Sequence, residues 1–201
     1  FKQKTAYEIM PSLVGSEMCI RDRFRHLLYT ALDINDKPFS IRYPKTSSVV
    51  FDETGQMELL PIGSWETCRL GKDIAILAVG PMVYTAIEVA NKLKESSISV
   101  EVVNCRFIKP MDTACLDNIR SRFSNIITIE EGIINGGFGD GVSAWLLENG
   151  FSGQLKRLGL PDRFVEHGSR NQILSMLGLD INGLLKTTYD MVEKKKEFQN
   201  Y

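Results

Sequence analysis

From Asp73 onward the sequence keeps switching its hydrophobic period, and that switching leaves few architectures open. Residues 74–79 (IAILAV) form an unbroken apolar run, which suits a strand covered on both faces. Gly80-Pro81 turns the chain into 83–93, where Val83, Ala86, Ile87, Ala90 and Leu93 recur at helical spacing. The unit repeats as a strand over 99–104 and a helix opening at Asp112, whose carboxylate can cap the free amides just past Lys109-Pro110. Segments 126–129, 142–148, 155–158 and 169–177 continue the alternation, and 181–195 reads as a last, outer helix. Strands alternating with helices of this length predict an α/β fold, with a mainly parallel sheet covered by helices on both faces. Such a sheet works at the carboxyl ends of its strands. Here that edge is built from loops 80–82, 106–112, 130–141 and 159–169.

Upstream the signal is weaker. Phe24, Leu27, Leu28 and Ala31 predict a helix over 24–33 that ends at Asn35-Asp36, and FSIRY at 39–43 alternates as a short strand stopped by Pro44. Residues 46–72, with Thr, Ser, Gly and Pro among scattered apolar residues, read as a linker between domains, within which 62–70 can still pair as a strand. KQKTAYE at 2–8 and LVGSEMCIRD at 13–22 read back into DNA as sequencing-library adaptor. Residues 1–23 are therefore assigned to no domain, with the natural frame beginning near Phe24. The competing reading is a signal or transit peptide, but the apolar run 9–14 is broken by Pro11 and Ser12 and is too short.

Composition removes several function classes. At 43% hydrophobic and 24% charged residues the chain is core-forming rather than disordered, and a net charge of −1 gives no electrostatic footprint for nucleic acid. No apolar run is long enough to cross a bilayer, and Lys194–Lys196 reads as a solvated helix end. Beyond Cys19, the cysteines Cys68, Cys105 and Cys115 stand apart without CxxC spacing, which suits reduced intracellular thiols. Neither His26 nor His167 is placed to complete a zinc site with them.

Four features carry candidate chemistry. Gly136, Gly137, Gly139 and Gly141 match neither GxGxxG nor a Walker loop, so they read as glycines that let backbone approach closely at a strand-to-helix turn. Glu130 and Glu131 are adjacent on a strand end and point to opposite faces, which rules out a shared acid/base couple and leaves one to accept hydrogen bonds from a neighbouring domain. His167, between Glu166 and Arg170, reads as the holder of a structural hydrogen bond. Arg42 and Lys45 in RYPK place two cations around a proline-stiffened turn at a strand end, an arrangement suited to phosphate; the bland alternative is a solvated pair at a domain boundary.

GLPDRFVEHGSR at 159–170, EEGIINGGFGDG at 130–141 and LGLD at 177–180 together resemble the C-terminal domain of the 1-deoxy-D-xylulose-5-phosphate synthases, thiamine-diphosphate enzymes of the transketolase family. The resemblance runs over 24–194. It implies that 24–45 is the end of a pyrimidine-binding domain and 73–195 a transketolase C-terminal domain. Members condense pyruvate with glyceraldehyde 3-phosphate, releasing CO2, in non-mevalonate isoprenoid synthesis; they use thiamine diphosphate and Mg2+ and are homodimers. The resemblance puts the catalytic, cofactor-holding and metal-holding residues upstream of this chain, so the fragment is expected to bind no cofactor or metal, to be inactive alone, and to have the missing N-terminal and middle domains as its partners. It implies a bacterial cytoplasm or a plastid, with no nucleic acid or membrane partner. Where this chain has RYPK followed by Thr46, the family usually has RYPRG, whose second basic residue contacts the sugar phosphate; Lys45 would do so as a point charge without the bidentate fork. Gly139-Asp140-Gly141, with Asn171 downstream, imitates the family's diphosphate-metal motif but follows a glycine turn instead of a buried strand. Alternatives are the C-terminal domain of another thiamine enzyme, such as a transketolase or a 2-oxo acid dehydrogenase β subunit, or a stand-alone ligand-binding module.

Overall fold

In the computed structural model, which describes residues 14–17, 21–34, 37–43 and 56–199, the apolar run at Ile74–Ala78 is the middle strand of a five-stranded sheet. In chain order the elements are β1 (Val14–Glu17), α1 (Arg21–Asp33), β2 (Phe39–Arg42), β3 (Glu66–Arg69), β4 (Ile74–Ala78), α2 (Met82–Glu95), β5 (Val100–Asn104), β6 (Phe107–Lys109), α3 (Thr113–Arg122), β7 (Asn125–Ile133), α4 (Phe138–Glu148), β8 (Gln154–Leu160), α5 (Arg170–Met176) and α6 (Ile181–Gln199). The main sheet has the order β3-β5-β4-β7-β8, parallel throughout except that β3 runs antiparallel to β5.

Every residue of β4 is buried, and its alternation divides the core in two. Ile74, Ile76 and Ala78 pack with Val83, Ala86 and Leu93 of α2 and with Leu184 and Met191 of α6. Ala75 and Leu77 pack on the opposite face with Leu116 and Ile119 of α3 and with Val142 and Leu146 of α4. Each fully buried Ile or Leu contributes roughly 1.5–3 kcal/mol of transfer free energy. The helices on both faces thus follow from the two-sided apolar runs. Caps set their ends: Asp112 accepts the Cys115 amide at 2.9 Å to open α3, and Ser169 forms a capping box with Gln172 to open α5. Gly150 and Gly178, at φ +73° and +68°, follow the ends of α4 and α5 in the left-handed conformation that suits glycine.

A three-stranded sheet, β2-β1-β6, joins the upstream segment to the rest. Within the residues assigned to no domain, Val14–Glu17 pairs parallel with β2 and antiparallel with β6, and Arg21 to Arg23 form the start of α1. The pairing uses main-chain groups, which any short extended segment can offer, and Val14 and Ser16 alternate inward at 4% and 3% exposure. Val14 and Leu27 share a core with Trp65, Phe107 and Phe138.

The described part of the predicted linker, from residue 56, is closely held. Glu58 N–H donates to His26 Nδ1 at 2.8 Å and Leu60 N–H to Thr30 Oγ1 at 2.9 Å, fastening it to α1. Farther on, Trp65 Nε1 donates to the Phe107 carbonyl at 2.7 Å, Trp65 N–H donates to Asp112 at 2.8 Å, and Arg106 donates to the Ser64 carbonyl and hydroxyl at 2.8 and 2.7 Å. Within it, β3 lies inside the 62–70 stretch that could pair as a strand.

At the far end of the sheet Glu101 is buried at 1% exposure and meets Arg122 through two hydrogen bonds of 3.0 and 2.5 Å. Glu101 also accepts the Gly71 amide at 3.2 Å, and Arg122 donates to the Gly71 carbonyl at 3.3 Å.

Candidate functional site at the carboxyl edge of the sheet

The loop after β7 shows why its glycines are there. Glu130, 6% exposed, turns inward and accepts the amides of Phe138 and Gly139 at 3.0 and 2.8 Å. These are free donors at the start of α4, whose N-cap, Gly137, has no side chain to serve them. A Cβ on Gly137 would lie 2.0 Å from the Ile133 carbonyl oxygen, and one on Gly139 would lie 2.5 Å from Thr128 Oγ1. Close approach, the reading given to the four glycines, holds at Gly137 and Gly139; nothing lies within 4 Å of a Cβ on Gly136, and one on Gly141 would meet only the Met111 side chain at 3.8 Å. The place an external phosphate would take at this helix end is filled by the protein's own carboxylate.

Asp140 is engaged as well. It accepts Arg157 Nη1 at 2.5 Å and the Gly136 amide at 3.0 Å, while Arg157 also donates to the Ile134 carbonyl at 3.3 Å. Asn171 stands exposed in the first turn of α5, on a separate element. With the Phe138 and Gly139 amides given to Glu130 and the Asp140 carboxylate given to Arg157, this loop does not fit a diphosphate or the magnesium that would accompany it. No cluster of three or more His, Cys, Asp or Glu side chains suited to a metal occurs among the described residues.

Glu131 points the other way, as its neighbour relation to Glu130 requires. Its carboxylate pairs with Arg170 at the start of α5, and its main-chain carbonyl accepts Arg42 Nη2 at 3.4 Å. That second contact brings Arg42, at the end of β2, over the carboxyl edge of the main sheet; it is made to the main chain, while both carboxylates bond to residues 138–170. Lys45 lies outside the described residues. His167 is exposed in the loop before α5 and makes no hydrogen bond among the described residues, so the structural bond expected of it is not formed. Sequence reasoning missed two cations. Arg106 follows β5, next to Phe107, which is registered against Ser16 in β1, while Arg42 is registered against Glu17. Arg170 closes the GLPDRFVEHGSR block and could have been sought as a partner for one of the two glutamates.

Cys68, Cys105 and Cys115 are free thiols. Burial, followed by the nearby Asp112 carboxylate, pushes the Cys115 thiol up to about 11, and burial first of all raises the fully enclosed Cys105 well above the ordinary range. Iodoacetamide at pH 8 is therefore expected to label Cys115 roughly a hundredfold more slowly than an exposed cysteine, as measured by mass spectrometry of timed digests. Labelling at the rate of a free thiol would contradict this environment.

Residues 63–184 match the family of the transketolase C-terminal domain. Over 174 residues the chain is 40% identical to 1-deoxy-D-xylulose-5-phosphate synthases of Bacillus cereus (strain AH187) and Bacillus anthracis, a stretch covering 86% of this chain and 28% of each relative. The corresponding enzyme of Bacillus mycoides (strain KBAB4) is 39% identical over the same length. The chain thus spans little more than a quarter of these relatives. Among solved structures, a split-gene transketolase, described as an inactive beta4 tetramer, superposes with a TM-score of 0.76 at 24% identity, covering 90% of this chain and 58% of that one. That likeness supports the fold. With the family match extending over more than half of its residues, the chain belongs to the family of transketolase C-terminal domains.

Proposed function

We propose that this chain is the C-terminal part of a 1-deoxy-D-xylulose-5-phosphate synthase, which condenses pyruvate with glyceraldehyde 3-phosphate and releases CO2. The 40% identity to such synthases over 174 residues carries this reading, and the GLPDRFVEHGSR block favours it over other thiamine enzymes. Thiamine diphosphate with Mg2+ would supply the carbanion chemistry, held by segments absent here. The chain's own share is acceptor binding: Arg42 and Lys45 hold the phosphate of the aldehyde, and the rigid loops of the carboxyl edge form the wall on which the upstream domains sit. Leu32 and Tyr43, 72% and 64% exposed, support a missing neighbour on α1 and β2. The assembled enzyme is a homodimer in this reading. No described helix is long and apolar enough to cross a membrane.

The test is a chimera in which residues from Phe24 onward replace the matching part of the Bacillus cereus relative. It is expected to form 1-deoxy-D-xylulose 5-phosphate, whereas the 201-residue chain alone forms none. In the chimera, Arg42→Met is expected to raise KM for glyceraldehyde 3-phosphate at least about tenfold, the size of a lost charge-assisted hydrogen bond, with KM for pyruvate little changed. A folded, dimeric but inactive chimera would count against the synthase reading; an unchanged acceptor KM would remove Arg42 from the phosphate site.

A further inference from the structure

The sequence contains three Asn-Gly steps, at Asn135, Asn149 and Asn182, and each is a place where a chain can modify itself. The main-chain nitrogen of the glycine attacks the asparagine side-chain carbon Cγ, and a residue without Cβ lets the two approach. That nitrogen must release its proton and the main chain must swing, so an amide held by hydrogen bonds in regular structure reacts only from an opened state. The surroundings rank the three steps. Gly150 N–H donates to the Leu147 carbonyl at 3.2 Å at the end of α4, and Asn149 Nδ2 donates to the Trp145 carbonyl at 2.8 Å. Gly183 N–H donates to Asp180 Oδ1 at 2.9 Å in the first turn of α6, and a Cβ there would lie 2.2 Å from the Gly178 carbonyl oxygen, so main chain is pressed on main chain. Asn135 and Gly136 are both exposed in the bend between β7 and α4, outside any helix or strand, with nothing within 4 Å of a Cβ on Gly136. Their restraint is a side chain: Gly136 N–H donates to Asp140 Oδ2 at 3.0 Å, while the other oxygen of that half-exposed carboxylate accepts Arg157 Nη1 at 2.5 Å.

We infer that Asn135-Gly136 is a spontaneous deamidation and isomerisation site, and that the Asp140–Arg157 pair is its brake. The Gly136 nitrogen gives up its proton to solvent and forms a bond to Asn135 Cγ; the Cγ–Nδ2 bond breaks, and Nδ2 leaves as ammonia with a proton returned from solvent. A water molecule then opens the cyclic imide, at Cγ to give aspartate or at the main-chain carbonyl to give isoaspartate, with no oxidant or reductant involved. Either product adds a negative charge to the turn. Isoaspartate also adds a main-chain carbon just ahead of Gly137, where a Cβ would already lie 2.0 Å from the Ile133 carbonyl oxygen. The candidate site's own loop is therefore what ages first, whichever reaction the assembled protein performs.

Both claims are tested by incubating the 201-residue chain in mildly alkaline buffer and reading timed digests by mass spectrometry after separation of aspartyl and isoaspartyl peptides. Asn135 is expected to lose most of its amide before Asn149 or Asn182 shows loss. Asp140→Ala is expected to speed the loss at Asn135 roughly fivefold, the weight of one ordinary hydrogen bond, and to leave Asn149 and Asn182 unchanged. Arg157→Met, which keeps the acceptor but no longer fixes it, is expected to speed the loss by a smaller factor, and Gly136→Ala to abolish it over the same period. Loss at Asn149 or Asn182 as fast as at Asn135 would overturn the site. An Asn135 rate unchanged in both Asp140→Ala and Arg157→Met, or raised equally at all of the Asn-Gly steps, would overturn the brake.

Discussion

Gly137→Ala is expected to cost about 3 kcal/mol and to lower the melting temperature by roughly 9 °C. Its backbone, at φ −82° and ψ −170°, is open to any residue, so conformation is not the cause. The new methyl would sit 2.0 Å from the Ile133 carbonyl oxygen and within 2.9 Å of both Glu130 carboxylate oxygens. The first is main chain and cannot swing aside. Relief requires the loop to lift away from α4, which would strand the Phe138 and Gly139 amides and release a buried carboxylate. Gly136→Ala is the informative control: nothing lies within 4 Å of its added Cβ, but its φ of +75° is left-handed, and a cost of only about 1 kcal/mol is expected. Thermal unfolding of the two variants checks both numbers. If Gly137→Ala melted no lower than Gly136→Ala, close packing under this loop would not be what holds it.

Arg122→Met is expected to cost about 3 kcal/mol, the low end for breaking a buried pair, because Arg122 itself remains 38% exposed while Glu101 is 1% exposed. The loss comes from leaving a carboxylate buried with the Gly71 amide as its remaining partner. Neutralising that carboxylate should therefore help: Glu101→Gln combined with Arg122→Met is expected to recover more than half of the loss, since the amide oxygen still accepts from Gly71 N–H. Urea unfolding of the single and double variants gives the comparison. A double variant less stable than Arg122→Met would show that packing of the arginine stem, and not charge burial, sets the cost.

The fold was legible where local signals and tertiary packing agree. The run at 74–79 could only be a two-sided strand, and Asp112 and Ser169 open their helices as short-range capping chemistry predicts. Reading failed where partners are distant. α4 begins at Phe138, ahead of the predicted 142, because its free amides are satisfied by Glu130, eight or nine residues back and on another element. β6 is three residues long and exists through pairing with β1, so no period could announce it. The candidate site divides in the same manner. RYPK marks Arg42 locally, whereas the contact from Arg42 to Glu131 and the pairing of Glu131 with Arg170 depend on chain segments brought together only by the sheet.

The reversed direction of β3 has a further consequence. Because Glu66 is registered against Asn104, the last residue of β5, the chain enters the main sheet at its carboxyl edge and descends to Gly71 before β4 rises again. A parallel first strand would have begun at the opposite edge, about 15 Å away for a strand of this length. The reversal makes the preceding segment a tether fixed beside the site. Whatever is joined ahead of it meets that edge at an effective concentration on the order of millimolar for a short connection, and not as a solute arriving by diffusion. Cutting the chain between Tyr43 and Leu60 would turn an assembly step that is independent of dilution into one that dilution can defeat.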